Sequence, residues 1–423
     1  MFRSLAARVL LALVAGLAAG AACHAIDNTE LISAAGIVEA LGGLWLNLLR
    51  MTIVPLVFCL LVTGIVRVAD AAATGRLAAR AILLFSAGML IAAVYGTLAT
   101  QGALALWPVD PTAAAALRAG AGGVNLADVP VPGLADWLKT IAPSNPIQAA
   151  AESAMLPLVV FGMFFGLAAT RLTAARRTVI IELFSAVADT MIVIVRWVLW
   201  AAPLGVFALS LGVGLRAGLS AVGAIAQYVV IVSLITASIA ILPYVVVALR
   251  RGVSLSAFAR AALPVQALAF STQSSLACLP AMLERAQDDL HIPPRVTGLV
   301  LPLAVAVFRL TGPVANLGVA YFIAHLYGIQ PGLPQMIGAI AVAFTISVGS
   351  VGLPGQVSFL ASMVPICIAL GVPIDLLPIL LAVEVIPDIF RTMGNVTGDL
   401  GAAAVLHRPG DDVEVIDPVS APA

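Results

Sequence analysis

Charged residues and cysteines are both scarce in this sequence. Only 10% of its 423 residues are Asp, Glu, Lys or Arg, and the formal net charge is zero, which indicates no nucleic-acid partner. The four cysteines lie in apolar runs without the spacing of a metal site or a disulfide framework. The sequence also lacks a nucleophile triad and a phosphate-binding loop. We therefore predict that the chain is not an enzyme and that it has no resident metal or cofactor.

Apolar residues are abundant, at 62% of the chain, and the mean hydropathy is +1.11. The apolar runs are continuous, which is typical of membrane helices, whereas a membrane β-barrel would show alternating segments. We predict an all-α polytopic membrane protein with eight transmembrane helices. The eight runs lie near 7–26, 41–66, 80–107, 146–170, 181–213, 219–248, 296–327 and 374–406.

The N-terminal run resembles a signal peptide, with a positive start, an apolar centre and small residues before Cys23, where a lipoprotein site is a further alternative. Because many membrane segments follow, we interpret it as an uncleaved first helix. Arginines flank alternate connections, whereas the connections at 27–40, 328–333 and 371–375 have no Lys or Arg. Basic loops face the cytoplasm, so we predict a multi-pass protein of the cell membrane with both termini cytoplasmic.

Two further regions, 257–291 and 333–370, have apolar arms that are too short to cross a bilayer. Arms of about 8–15 residues flank polar tips, STQSS at 271–275 and SVGSVGLPG at 347–355. We predict two re-entrant helical hairpins whose tips line a cavity; ordinary helices kinked at Gly or Pro are the alternative. Because the hairpins enter from opposite sides, this order predicts inverted repeats with a binding site at the midplane.

The last predicted helix carries a polar stripe. Glu384, Asp388, Arg391, Asn395 and Asp399 project within about 80° of one another, at roughly 100° per residue. Charges at this depth are costly and usually mark a substrate or ion pathway. The stripe predicts a binding surface, and a structural salt bridge between Asp388 and Arg391, one turn apart, is the alternative.

The seventh predicted helix has a polar interruption, FRLTGPVAN at 308–316. Gly312 and Pro313 are expected to break its hydrogen-bond ladder, and the backbone groups so freed can coordinate a ligand. Arg309 adds a permanent positive charge at this break, within plausible reach of Asp399.

With these motifs the chain resembles the dicarboxylate/amino acid:cation symporters, the family of the glutamate and aspartate transporters. The resemblance is strongest in DIFRTMGNVTGDL (388–400), which is similar to the family's eighth-helix signature, and it includes both hairpin tips. It implies a homotrimer in the bacterial inner membrane, in which a mobile unit carries a small anionic substrate past a fixed scaffold as an elevator. The implied division is scaffold helices at 1–75 and 128–215, mobile elements at 76–127 and 216–406, and a cytoplasmic tail at 407–423, whose composition predicts disorder.

The resemblance also implies roles for individual residues. Arg391 corresponds to the residue that grips the side-chain carboxylate of an acidic substrate, and Asp388 to the one that holds its amino group. A guanidinium fits a carboxylate bidentately, and the counter-charge of Asp388 favours aspartate or glutamate over a plain C4-dicarboxylate. The other implied substrate contacts are Thr392, Asn395, Ser274, Ser275 and Gly352.

The seventh-helix motif departs from the family's Asn-Met-Asp-Gly-Thr. Phe308 and Leu310 replace the sodium-ligating Asn and Asp, Arg309 replaces the methionine, and Gly312 replaces a hydroxyl residue, which puts the substrate's identity in doubt. Losing an acid and gaining a base raises the local charge by 1 + 1 = 2. We expect Arg309 to stand in for sodium beside Asp399; the alternative is that it pairs elsewhere while another sodium site survives.

We therefore expect a secondary transporter for an acidic amino acid or a C4-dicarboxylate that does not depend on sodium. The net charge of the site is 2 − 3 = −1, summed over the bases Arg309 and Arg391 and the acids Glu384, Asp388 and Asp399. One proton would neutralise it. Glu384 is the candidate proton carrier, or else a satisfied structural acid. The alternatives are uncoupled transport, a sodium-coupled symporter, and an anion channel or substrate sensor on the same fold.

Overall fold

A computed structural model describes residues 5–26, 29–73, 75–120, 142–152, 154–217, 221–250, 252–349 and 355–407. This part of the chain is helical and contains no strand. Its helices are α1 (Leu5–Ile26), α2 (Thr29–Ala73), α3 (Arg76–Leu106), α4 (Pro111–Gly120), α5 (Pro146–Ala151), α6 (Met155–Ala169), α7 (Ala174–Trp200), α8 (Ala202–Ala217), α9 (Ala221–Ile239), α10 (Ile241–Arg250), α11 (Leu255–Thr272), α12 (Ser275–Asp288), α13 (Pro294–Val307), α14 (Thr311–Leu326), α15 (Leu333–Gly349), α16 (Gly355–Leu370), α17 (Leu377–Val383) and α18 (Val385–Leu406).

Each apolar run that we expected to cross the membrane coincides with one helix or with consecutive helices. The apolar parts of α1, α6 and α8 are shorter than a full crossing. The total of eight crossings therefore stays a prediction. Five stretches in the described part are long and apolar enough to cross a bilayer: Ser33–Asp70, Arg76–Leu106, Ala174–Trp200, Val222–Arg250 and Pro294–Leu326.

Both regions predicted as hairpins form pairs of helices. In the first, the chain reverses at Gln273, whose φ of 50° is left-handed, and Ser274 then caps α12 by accepting the N–H of Ala277. In the second, α15 and α16 flank 350–354, so the expected substrate contact Gly352 lies outside the described residues. The arms contain 18, 14, 17 and 16 residues, longer than their apolar runs suggested. They still fall short of the roughly 20 residues that a crossing needs.

The helices pack in two groups. In the first group, α2 contacts α6, α7 and α8, and α1 packs along α8. In the second group, α18 is central and contacts α3, α9, α10, α13, α14 and both arms of the first hairpin. The second hairpin packs on α14 and also reaches α2 and α6. The assignment of the first group to a fixed scaffold and of the second to a mobile unit stays a prediction, and most of the predicted tail lies outside the described residues.

Helix α1 approaches α8 very closely. A Cβ atom at Gly16 would lie 2.5 Å from the carbonyl oxygen of Phe207, and one at Gly20 would overlap the carbonyl oxygen of Leu211. Small residues four apart allow two membrane helices to approach at backbone distance. This contact makes α1 part of the first group and favours its interpretation as a membrane helix.

The seventh predicted span breaks earlier than the sequence suggested. α13 ends at 307 and α14 begins at 311, so residues 308–310 form the break. Gly312 and Pro313 instead lie in the first turn of α14, where proline is tolerated because the N–H groups of that turn have no partner within the helix. The predicted interruption at 308–316 is therefore present, and its break lies directly before Gly312 and Pro313. A proline at 313 has no N–H for the carbonyl of residue 309, so the hydrogen-bond ladder cannot continue through the break. The last predicted helix is also divided, with Glu384 at the joint between α17 and α18.

Candidate functional site

A buried cluster of Tyr228, Glu384 and Arg391 lies where α9 meets the joint between α17 and α18. Arg391 Nη2 is 2.5 Å from Glu384 Oε1, and both side chains are buried. Tyr228, which is fully buried, donates its hydroxyl to Glu384 Oε2 over 3.0 Å. Each carboxylate oxygen of Glu384 therefore has one donor, which fixes the orientation of the ion pair. The contact also shows that Glu384 and Arg391 share a face, as the stripe predicted.

Asp388 lies next to this cluster but does not join it. Its Oδ1 atom is 4.0 Å from Arg391 Nε, and that Nε–H is buried without a hydrogen-bond acceptor. The side chain of Asp388 remains 18% exposed. Glu384 is thus the closer partner of Arg391, and the Asp388–Arg391 salt bridge that the alternative named is present as a longer contact of 4.0 Å. The unpaired N–H and the neighbouring carboxylate can bind a ligand's carboxylate and ammonium respectively.

Asn395 connects the stripe to the broken helix. Its Oδ1 accepts the backbone N–H of Thr311 over 3.0 Å, and the Thr311 hydroxyl lies 2.8 Å from both this atom and the carbonyl oxygen of Arg391. The side chain of Asn395 therefore satisfies one of the N–H groups that the start of α14 leaves without a helical partner. Thr392 donates its hydroxyl to the carbonyl oxygen of Asp388. Both residues, which we expected to contact substrate, already bond within the protein here.

Asp399 is an isolated buried carboxylate. Its side chain is 0% exposed, and neither oxygen has a hydrogen-bond partner. Arg309 lies within electrostatic range of it, but no ion pair joins the two within the described part of the chain. Arg309 also lies within electrostatic range of Asp388. The direct Arg309–Asp399 pair that we expected is thus not formed in this structure.

Apolar side chains occupy the break beside Asp399. Phe308 stacks on Phe85 with ring centroids 4.7 Å apart and an interplanar angle of 12°. Leu310 is buried as well, and a Cβ atom added at Gly398 would lie within 3.2–3.3 Å of both Leu310 and Phe308. Because hard cations require oxygen ligands, the side chains of Phe308 and Leu310 supply none for sodium at the break. The described residues also contain no group of three or more His, Cys, Asp or Glu that could hold a metal.

The first hairpin lies beside Asp399. Cys278, one turn after Ser274 in the chain, is within electrostatic range of that carboxylate. The hydroxyl of Ser274 is engaged in capping α12, and Ser275 is the first residue of that helix and is partly exposed. The structure thus brings the expected serine tip close to α18, and the hydroxyl of Ser274, which accepts the cap bond, keeps its O–H free to donate.

The second hairpin reaches the start of α14. Ser347 of α15 is buried, and its Oγ atom lies 3.3 Å from the position that a Cβ atom on Gly312 would take. A Cβ at this position would also lie 3.4 Å from the Cβ of Arg309. The space that a hydroxyl residue at 312 would need is therefore partly taken by the hydroxyl of Ser347.

Sequence reasoning missed Tyr228, Thr311 and Ser347. Tyr228 lies in a continuous apolar run, and no pattern in that run distinguishes a buried donor from an aromatic residue of the core. Thr311 and Ser347 were inside motifs that the sequence did mark, the polar interruption and the second hairpin tip, and they could have been included on that ground.

Residues 5–408 match the sodium:dicarboxylate symporter family. The chain belongs to this family. It is 29% identical over 422 residues to a proton/glutamate-aspartate symporter of Escherichia coli (strain K12), covering 96% of this chain and 92% of the relative. A proton/sodium-glutamate symport protein of Geobacillus stearothermophilus is 27% identical over 423 residues, covering 96% and 94%. A C4-dicarboxylate transport protein of Rhodospirillum rubrum is 28% identical over 416 residues, covering 96% and 88%.

Membership of the sodium:dicarboxylate symporter family confirms the resemblance that the eighth-helix and hairpin motifs indicated. It also confirms that the chain is a membrane transporter and not an enzyme. With its apolar helices, the chain is a multi-pass membrane protein.

Proposed function

We propose that this chain is a secondary active transporter whose substrate is an acidic amino acid, aspartate or glutamate. One observation carries the proposal: the unpaired Nε–H of Arg391 lies 4.0 Å from the carboxylate of Asp388. A substrate carboxylate would satisfy this donor, and a substrate ammonium would neutralise Asp388. Burial makes both contacts strong, because an unpaired charge in a low-dielectric site is costly.

A C4-dicarboxylate remains the second candidate substrate, because one relative transports this class by name. Such a substrate has no ammonium group and would leave Asp388 unpaired unless that carboxyl were protonated. The presence of Asp388 therefore favours the amino acid.

The test is uptake of radiolabelled aspartate and succinate by purified protein in proteoliposomes. We expect aspartate to be taken up with the higher kcat/KM. Asp388→Asn should lower aspartate uptake at least tenfold and should reduce this preference over succinate, since an amide cannot neutralise an ammonium. A wild-type protein that carries succinate in preference to aspartate would overturn the choice of substrate, and wild-type uptake of neither would overturn the proposed function.

We further propose that transport does not require sodium. Phe308 and Leu310 fill the break with carbon atoms, and Arg309 already supplies positive charge near Asp388 and Asp399. Arg309 thus adds positive charge to the site without forming an ion pair with Asp399. Replacing sodium with choline should leave aspartate uptake within about twofold, and a strict sodium requirement would contradict this part of the proposal.

A proton is the coupling ion that we propose, with Glu384 as its carrier. Glu384 is buried and forms an ion pair with Arg391, the residue that we propose binds the substrate carboxylate. Protonation of Glu384 would therefore weaken its hold on the Arg391 guanidinium. An inward proton gradient should drive aspartate accumulation in the wild type. Glu384→Gln should abolish this accumulation and leave aspartate exchange intact. Accumulation that is indifferent to the imposed pH gradient would exclude the proton.

The partner that we propose is a second and a third copy of this chain, in the bacterial inner membrane with both termini cytoplasmic. Helix α7 is the least buried of the five membrane-length stretches, and it exposes Glu182, Asp189 and Arg196 at intervals of seven residues. Each charge facing hydrocarbon would cost about 2.5–3.5 kcal/mol at the bilayer centre. A neighbouring subunit would cover this face and pair its charges while the mobile groups move as elevators.

Cysteine cross-linking tests this arrangement. Arg196→Cys together with Asp189→Cys should give covalent trimers on oxidation in native membranes, whereas a cysteine pair on the exposed face of α3 should not. Monomers alone in both the cross-linking and light-scattering measurements would contradict a homotrimer.

A further inference from the structure

An apolar groove lies on the second helix group, behind the broken helix. Its walls are formed by α3, α10, the break and the C-terminal half of α18. Gly88, Gly398 and Gly401 are among its lining residues, and they let the walls pack closely, because a Cβ atom at each would lie within 3.2 Å of Phe308, Leu310 or Pro243. Leu84 and Val246 form partly exposed edges.

The chemistry of the lining decides what kind of molecule can enter. All the side chains that line the groove are apolar, and a cavity of this kind does not hold water because water finds no hydrogen-bond partners there. An empty cavity would lose the dispersion contacts of its walls. Since α3 and α10 belong to membrane-length stretches, the hydrocarbon available at the exposed edges is that of lipid acyl chains.

Positive charge lies at one end of the groove. Arg80 precedes the edge residue Leu84 by four positions on α3, and Arg250 follows the edge residue Val246 by four positions on α10. Residues four apart lie on the same helix face, so both guanidinium groups lie one turn beyond the groove on the side where α18 ends. Both are exposed, and within the described part of the chain neither forms an ion pair. The arginine pattern of the sequence places this end at the cytoplasmic surface.

We propose that the groove binds one anionic phospholipid of the inner leaflet, with an acyl chain against Phe308 and Leu310 and the phosphate between Arg80 and Arg250. Basic sites between membrane helices on the cytoplasmic side are suited to anionic headgroups. The acyl chain would support the two residues that fill the break. This inference rests on the packing and the charges of the groove and does not depend on which substrate is carried.

The test is native mass spectrometry of the purified full-length protein, titrated with phosphatidylglycerol or phosphatidylcholine of the same acyl chains. We expect phosphatidylglycerol to bind the wild type at least tenfold more tightly. The double variant Arg80→Gln/Arg250→Gln should lose this preference, while Arg260→Gln, which removes an exposed arginine of the first hairpin that does not line the groove, should retain it.

A second pair of variants tests the groove itself. Leu84→Trp fills the groove from its edge and should lower phosphatidylglycerol binding at least tenfold. Leu83→Trp, at a neighbouring position that is 72% exposed and does not line the groove, should bind as the wild type does. Equal binding of the two lipids by the wild type, a preference retained by the double arginine variant, or wild-type binding by Leu84→Trp would each overturn the proposal.

Discussion

Replacing Tyr228 with Phe tests whether the buried cluster around Arg391 prepares the substrate site. The change keeps the ring, which packs edge-on to Phe322 at a centroid distance of 5.3 Å, and removes only the hydroxyl that donates to Glu384 over 3.0 Å. A hydrogen bond to a charged group contributes about 1.5–3 kcal/mol. Without it, Glu384 has Arg391 as its sole described partner and holds the guanidinium more firmly away from an incoming carboxylate.

The expected result is weaker substrate binding. We assume that the full free energy of the lost hydrogen bond, about 1.5–3 kcal/mol, strengthens the hold of Glu384 on Arg391 against the substrate. At about 1.4 kcal/mol per factor of ten, the aspartate Kd should then rise roughly 10–100-fold. Isothermal titration calorimetry on the detergent-purified protein measures this Kd directly. Proteoliposome uptake should show a matching rise in KM.

Tyr327→Phe is the matched control. The hydroxyl of Tyr327 is buried without a hydrogen-bond partner, so its removal should change the aspartate Kd by less than about twofold. A Tyr228→Phe protein that is folded and binds aspartate as tightly as the wild type, or more tightly, would refute the reasoning. In that case Glu384 would not compete with substrate for Arg391.

Three other changes probe the break and the helix packing. Asn395→Ala removes the acceptor for the first N–H of α14 and should lower the free energy of unfolding by about 1–3 kcal/mol, seen as a lower Tm in detergent; an unchanged Tm would contradict the capping role. Gly20→Ala should also lower the Tm, because its Cβ would overlap the backbone of α8, whereas Gly43→Ala, which meets no atom within 4 Å, should leave the Tm unchanged or raise it. Arg309→Met should weaken aspartate binding without creating sodium dependence, because the break stays apolar; a gain of sodium-driven uptake would refute this account of the break.

The membrane class and the polar stripe could be predicted from sequence because both are local properties. Continuous apolar runs determine which segments prefer hydrocarbon, whatever their neighbours are. Helical periodicity alone placed Glu384 and Arg391 on one face, and the structure shows them in contact at 2.5 Å. The hairpins were also recognisable, since each polar tip interrupts an apolar run that is too short to cross the bilayer.

The partners of the charged residues could not be predicted in this way. Tyr228 is separated from Glu384 by 156 residues, and their hydrogen bond depends on how α9 is rotated against the joint before α18. The acceptor that Asn395 offers to Thr311 at the break lies 84 residues away in the chain, so no local pattern shows it. Likewise, the absence of an ion pair between Arg309 and Asp399 depends on where the apolar side chains of the break are packed.

The sequence by itself determined that this chain is a helical membrane transporter with a charged stripe on its last helix, because composition and periodicity act within one segment. Only the tertiary structure decided that Arg391 bonds Glu384, that Asp388 stays 4.0 Å from Arg391, and that carbon atoms fill the break next to Asp399. These features depend on the rotation and depth of one helix against another. Residue spacing along a single helix does not specify either quantity.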